Sequence, residues 1–197
     1  KNATAMLFES QYTRDFFISN FGTEIKNSYI INYGKDSTYF PESNNKVLDK
    51  YNISNQFVLC VSHLYPYKNI INMIKAYHLA NLKSESKFKL IIAGKIYYDE
   101  FYEEIKKCIN KFDLNEIVKT IGIVNQQELR ALYSQCELLI FPSPCENFAY
   151  TLVEAMSCGA PIVSSNTTAM PETCQNAAIY FDPNDVTDMS IKIGELM

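Results

Sequence analysis

From residue 56 onward, short apolar runs rich in β-branched residues alternate with amphipathic stretches of helical period, a rhythm that points to a parallel sheet covered by helices. Runs at 56–61, 89–93, 118–121, 138–141, 161–164 and 178–181 are the strand candidates. The expected fold is therefore α/β, a Rossmann-like parallel six-stranded sheet with helices on both faces. Between the second and third runs, Phe101, Ile105, Cys108, Ile109 and Phe112 keep the 3.6-residue period, with Glu103 and Lys107 expected to pair on the outer side. Asn125 followed by Glu128 is a capping-box start for the next helix, which turns Leu129, Leu132 and Tyr133 inward. A later helix buries Leu152, Ala155 and Met156 and stops at Gly159, with Pro161 beyond it. Its N-terminal end falls at the C-terminal edge of the fourth strand, where open α/β sheets bind ligands.

A chain of 197 residues, 47% of them hydrophobic, can bury one substantial core, or one domain and a fragment of another. Its net charge of -4 and lack of clustered Lys and Arg disfavour a general nucleic-acid binder. The six cysteines form no C-x-x-C pair and read as small buried residues of a reducing compartment, so no metal ligands are assigned. No apolar run has the length of a membrane span.

The chemistry concentrates in residues 141–159, where a buried strand runs into a loop acid and then a helix bearing a second acid. Unpaired amides of Phe148, Ala149 and Tyr150 at the helix start suit a pyrophosphate. Glu146 and Glu154 can accept hydrogen bonds from sugar hydroxyls on either side of it. A second cue is Lys68, after the first strand. A Lys at a helix start opposes the helix dipole, so an anion explains it better than helix stability does. His78 reads as a packed helix residue, seven residues after Ile71 on the same face.

ENFAYTLVEAMSCGAPIVSS, with its Glu-x7-Glu spacing, resembles the signature of the nucleotide-sugar glycosyltransferases of family 4, which have the GT-B fold. FVLCVSHLYPYKNIINMIKAYHLA (57–80) is similar to the family's first strand, phosphate loop and helix, and KLIIAGK (89–95) to its second strand. TIGIVNQQELRALYSQCELLIFPS and AMPETCQNAAIYFDPNDV come next in the family's order. The resemblance implies that residues 1–50 are the end of an acceptor domain with the interdomain segment. Residues 51–197 would then be a nucleotide-sugar donor-binding domain whose closing helix is cut short.

It further implies that Glu146 contacts donor-sugar hydroxyls near the reacting carbon and that Glu154 takes the ribose hydroxyls. Lys68 and His63, which stands where the family commonly has Arg, would meet the diphosphate together with the amides of Asn147, Phe148, Ala149 and Tyr150. Gly94, Lys95, Ile123 and Val124 would shape the nucleobase pocket. Asn147 and Ala149 replace glycines common in the family; Asn tolerates left-handed backbone and Ala is small, so both are compatible with an amide nest, with an altered donor affinity as the expected consequence. The implied activity is retaining sugar transfer from a nucleoside-diphosphate donor to an acceptor hydroxyl, without a cofactor or obligatory metal. The acceptor, carbohydrate or lipid-linked, would sit on the missing N-terminal domain, leaving this piece alone inactive. The implied setting is cytoplasmic, peripheral to a membrane if the missing domain binds one. A GT-B epimerase or phosphorylase and a non-catalytic nucleotide-sugar-binding module are the alternatives. A dehydrogenase is disfavoured because no strand leads into G-x-G-x-x-G.

Overall fold

The computed structural model describes residues 4–22, 27–53, 56–85 and 87–197. Near the N-terminus, two short parallel strands, β1 (Met6–Phe8) and β2 (Ser28–Ile30), are joined through helix α1 (Gln11–Phe21). Ser10 starts that helix by accepting the Thr13 amide, and Gly22 ends it in the left-handed conformation. This ribbon leaves Leu7, Phe16, Phe21, Tyr29 and Ile31 exposed. A short helix, α2 (Asn45–Lys50), follows and buries Val47 and Leu48. Neither β1 nor α2 has a local sequence signal: both are too short for periodicity, and α2 is stabilised by what it packs against.

The main sheet contains β3 (Phe57–Val61), β4 (Lys89–Ala93), β5 (Val118–Gly122), β6 (Leu138–Phe141), β7 (Ile162–Ser165) and β8 (Ile179–Phe181), all parallel. Each strand matches its expected run to within one residue at either end. Between and after them run α3 (Ile70–Lys83), α4 (Asp99–Lys111), α5 (Gln126–Gln135), α6 (Tyr150–Ser157), α7 (Met170–Cys174) and α8 (Val186–Gly194). Side chains alternate between two cores. Val58 and Cys60 of β3 pack with α3, α4 and α8, whereas Phe57 and Leu59 pack with α2, α5, α6 and α7. Burial on both faces is why the central strands β3, β4 and β6 read as nearly unbroken apolar runs.

Strand order is β5-β4-β3-β6-β7-β8, so the chain builds outward from β3 on one side and then returns to its other side. The reversal opens a crevice beyond the C-terminal ends of β3 and β6.

Along α4, Phe101, Ile105, Cys108 and Ile109 are buried as the period requires, and Phe112 is half-buried against His78, with ring centroids 4.7 Å apart. His78 is thus a packed helix residue. The outer pair of α4 differs from expectation: Glu103 bonds Lys106 at 2.5 Å and not Lys107. Lys106 is additionally held over the Tyr102 ring at 5.1 Å, an attraction that charge spacing alone does not reveal.

Asn125 and Glu128 form the expected capping box at the start of α5. The Glu128 carboxylate also accepts from Lys50 and, at 3.1 Å, from the Tyr51 hydroxyl, which ties α2 to α5. The Lys50 bond, foremost, holds the Glu128 carboxyl below its ordinary value of 4.5. A lowered folded value means that this contribution is present above the unfolded pKa and is lost as pH falls through the folded one. Glu128→Gln should therefore lower the urea midpoint at pH 7, and its gap to wild type should close below about pH 4. A gap independent of pH would show that the charge of Glu128 contributes nothing.

Candidate functional site

A cavity of about 320 Å³ occupies the crevice between the loops that leave β3 and β6. One wall depends on Gly94, which ends β4 at φ 153°: a Cβ there would lie 1.9 Å from the Ser62 carbonyl oxygen. Only glycine lets the two chain segments approach this closely. Leu64 and Ile96 bridge just beyond, and His63 Nδ1 accepts the Lys95 amide at 3.1 Å. That bond leaves the proton of the neutral ring on Nε2, as a donor.

The chain then makes a tight turn, Pro66–Lys68, before α3. Asn69, left-handed at φ 62°, anchors the turn by donating to the carbonyls of Pro142 at 3.3 Å and Pro183 at 2.8 Å. Lys68 is thereby carried to the loop of β6, where its ammonium pairs with the Glu146 carboxylate. Both side chains are largely shielded, at 16% and 19% exposure. The two residues expected to meet opposite ends of a ligand therefore neutralise one another.

Opposite Lys68, α6 begins at Tyr150 with Ala149 as an N-cap lacking any side-chain acceptor, and no acid lies in its first turn. Phe148, Ala149 and Tyr150 all line the cavity, so the positive end of the helix is open to an anion. Gly94, Ile123, Val124 and His63 line it as well.

Lys95, Asn147 and Glu154 lie outside the lining. Lys95 Nζ sits over the Tyr97 ring at 4.5 Å. The Asn147 carbonyl points away, accepting Ser10 Oγ at 2.8 Å. Glu154 is half-buried on α6 and accepts the Tyr133 hydroxyl at 3.0 Å, with Tyr39 beside it. Burial raises the Glu154 pKa, and the two tyrosines oppose that rise without cancelling it.

Two aromatic groups flank the cavity. Tyr67, Tyr65 and Tyr97 stack in a row, with centroids 5.3 and 4.6 Å apart, and Lys68 Nζ lies 5.1 Å from the Tyr67 ring centre. On the other side, Tyr33 reaches from the N-terminal segment to Tyr150 at 4.6 Å and Phe148 at 5.4 Å. Tyr65, Tyr67 and Thr151, to which the sequence pattern alone gives no role, also line the cavity. Their places in the Lys68 loop and at the start of α6 were the available signal.

Fold and cavity place the chain among Rossmann-like α/β proteins with a ligand crevice at the switch point. It belongs to the family described as "Glycosyl transferases group 1", whose profile matches residues 44–197. Over 196 residues it is 29% identical to the O-antigen chain mannosyltransferase B of Escherichia coli, covering 98% of this chain and 51% of that protein. It is 32% identical over 153 residues to the serotype-specific mannosyltransferase WbdA of Escherichia coli, covering 77% of this chain and 18% of that one. The chain thus spans about half, or less, of the curated relatives it matches.

Among solved structures, a glycosyltransferase from Rickettsia africae superposes with a TM-score of 0.87 at 20% identity, over 98% of this chain and 52% of the other. Anabaena HepE in complex with UDP and glucose gives 0.85 at 23% identity, over 98% and 53%. These likenesses establish the GT-B type of fold.

Because Glu146 competes with any anion for Lys68, substitutions at the two ends of the pair should act in opposite directions. Lys68→Met should weaken binding of inorganic pyrophosphate and Glu146→Gln should strengthen it, each by roughly tenfold. Titration calorimetry reads both, and a Glu146→Gln protein that binds more weakly contradicts the competition.

Proposed function

We propose that the protein containing this chain is a retaining glycosyltransferase that moves mannose from a nucleoside-diphosphate donor to an acceptor hydroxyl, and that residues 51–197 hold the donor. The observation that carries this reading is the convergence of Lys68, Glu146 and the uncapped start of α6 on one cavity at the switch point. Mannose is favoured because the two Escherichia coli relatives are named mannosyltransferases. In this scheme the departing diphosphate is met by Lys68, by the amides of Phe148, Ala149 and Tyr150, and by the Nε2 proton of His63. Donors aimed at developing charge in a shielded site are the main source of rate.

Glu146, released from Lys68 by the incoming diphosphate, accepts from the sugar hydroxyls. Glu154 can serve the ribose once a tyrosine hydroxyl yields to it. The diphosphate charge is met by protein groups, so no obligatory metal is proposed. The acceptor half lies outside residues 51–197, and the exposed apolar side chains of the first thirty residues suit packing against it. No helix among the described residues is long and apolar enough to cross a membrane. Nucleotide sugars are cytoplasmic substrates in this reading, which puts the catalyst on that side.

The test is transfer by the full-length protein from a panel of nucleoside-diphosphate sugars to a mannose-terminated acceptor. Turnover should be greatest with a mannosyl donor, should persist in EDTA, and should fall roughly a hundredfold or more in Glu146→Gln. Donor converted to an epimer in the absence of acceptor would replace this reading with epimerisation.

A further inference from the structure

Five side-chain hydroxyls grip the backbone of the loop that carries Glu146. Ser165 Oγ donates to the Ser143 carbonyl at 2.6 Å, and Thr167 Oγ1 donates to the Pro144 carbonyl at 2.8 Å. From the N-terminal side, Ser10 Oγ and Thr13 Oγ1 donate to the Asn147 carbonyl at 2.8 and 3.3 Å. Thr168 acts in the opposite sense. Its Oγ1 accepts the amide of Glu146 itself at 3.0 Å and gives its own proton to Met170 Sδ at 3.6 Å.

Thr168 does this from φ 51°, in the left-handed region. Among the described residues the other non-glycine occupants of that region are Asn52, Asn69, Asp113 and Gln175, none of them β-branched. A branched residue is held in that conformation only when its surroundings over-determine it, and such strain gathers at functional sites. Glycine would adopt the same backbone without strain but would bring no acceptor for the Glu146 amide. Nor is the hydroxyl needed to hold its own segment: Ala169 and Met170 are fully buried, and the Met170 amide already bonds the Thr167 carbonyl at 3.3 Å.

We propose that Thr168 is a positioning residue for Glu146. By fixing the Glu146 amide, it sets where the loop presents the carboxylate to Lys68 and to the cavity. The proposal rests on the transferase reading, in which Glu146 faces the donor sugar.

Three variants of the full-length protein separate the hydroxyl from the strain. Thr168→Val keeps the branching and loses the acceptor, Thr168→Ser keeps the acceptor, and Thr168→Gly loses the acceptor while relaxing the backbone. The Val and Gly variants should each lose roughly tenfold or more in kcat, since small misplacements are costly. Their donor KM should change by less than about threefold. Thr168→Ser should stay within about twofold of wild type. Amide hydrogen exchange at Glu146 should accelerate in the Val and Gly variants alone. Wild-type kcat in Thr168→Gly, or unchanged Glu146 exchange in Thr168→Val, overturns the proposal. Exchange requires no turnover: if no form of the protein transfers sugar, the transferase reading fails, and exchange still decides whether Thr168 fixes the Glu146 amide.

Discussion

The parallel pairing of β3 with β6 is the contact on which the remaining arrangement depends. It is short, Val58 opposite Leu138 and Leu59 opposite Leu139, and among the described residues it is the only place where strands from the two halves of the sheet meet. Inside the sheet every residue of these strands faces a helix layer, so a polar group there would be buried without water. Polar chemistry is therefore confined to the strand ends. The pairing lays the C-terminal ends of β3 and β6 side by side, and Lys68 and Glu146, 78 residues apart in sequence, come into contact.

The loops beyond these strand ends are held by bonds that leave them little freedom. Gly94 allows β3 and β4 to close on each other at the cavity wall, and the left-handed Asn69 ties the start of α3 to both Pro142 and Pro183. Ordering a loop costs conformational entropy, and here the folded domain meets that cost before any ligand arrives. The N-terminal segment shares in this ordering. The Glu172 carboxylate accepts the amides of Gln11 and Tyr12 at 2.8 and 3.1 Å, so the start of α1 is clasped to α7 close to the Glu146 loop.

The central strands were legible because two-sided burial writes itself into consecutive residues, as in Leu138 to Phe141. The capping box of Asn125 and Glu128 was legible because both partners are local. Legibility ended where an interaction crossed elements. Glu154 was recognisable by its spacing from Glu146, but nothing near it in sequence announces that Tyr133 of α5 supplies its hydrogen bond. Lys106 displaced Lys107 because a neighbouring ring, Tyr102, drew the ammonium. The hydroxyls of Thr167 and Thr168 lie more than twenty residues beyond the loop they grip. They reach it because β7 pairs beside β6, with Phe141 opposite Ser164.

The mutual neutralisation of Lys68 and Glu146 also bears on which molecules can settle in the cavity. An occupant that offers only an anion separates the pair and strands a shielded carboxylate; one that offers only hydroxyls strands a shielded ammonium. Either isolated charge is costly at such exposure. A molecule that brings a phosphate and a polyol together, at the right separation, satisfies both groups at once. On the proposed donor reading this ion pair would work as a coincidence filter, favouring the intact conjugate over either of its fragments.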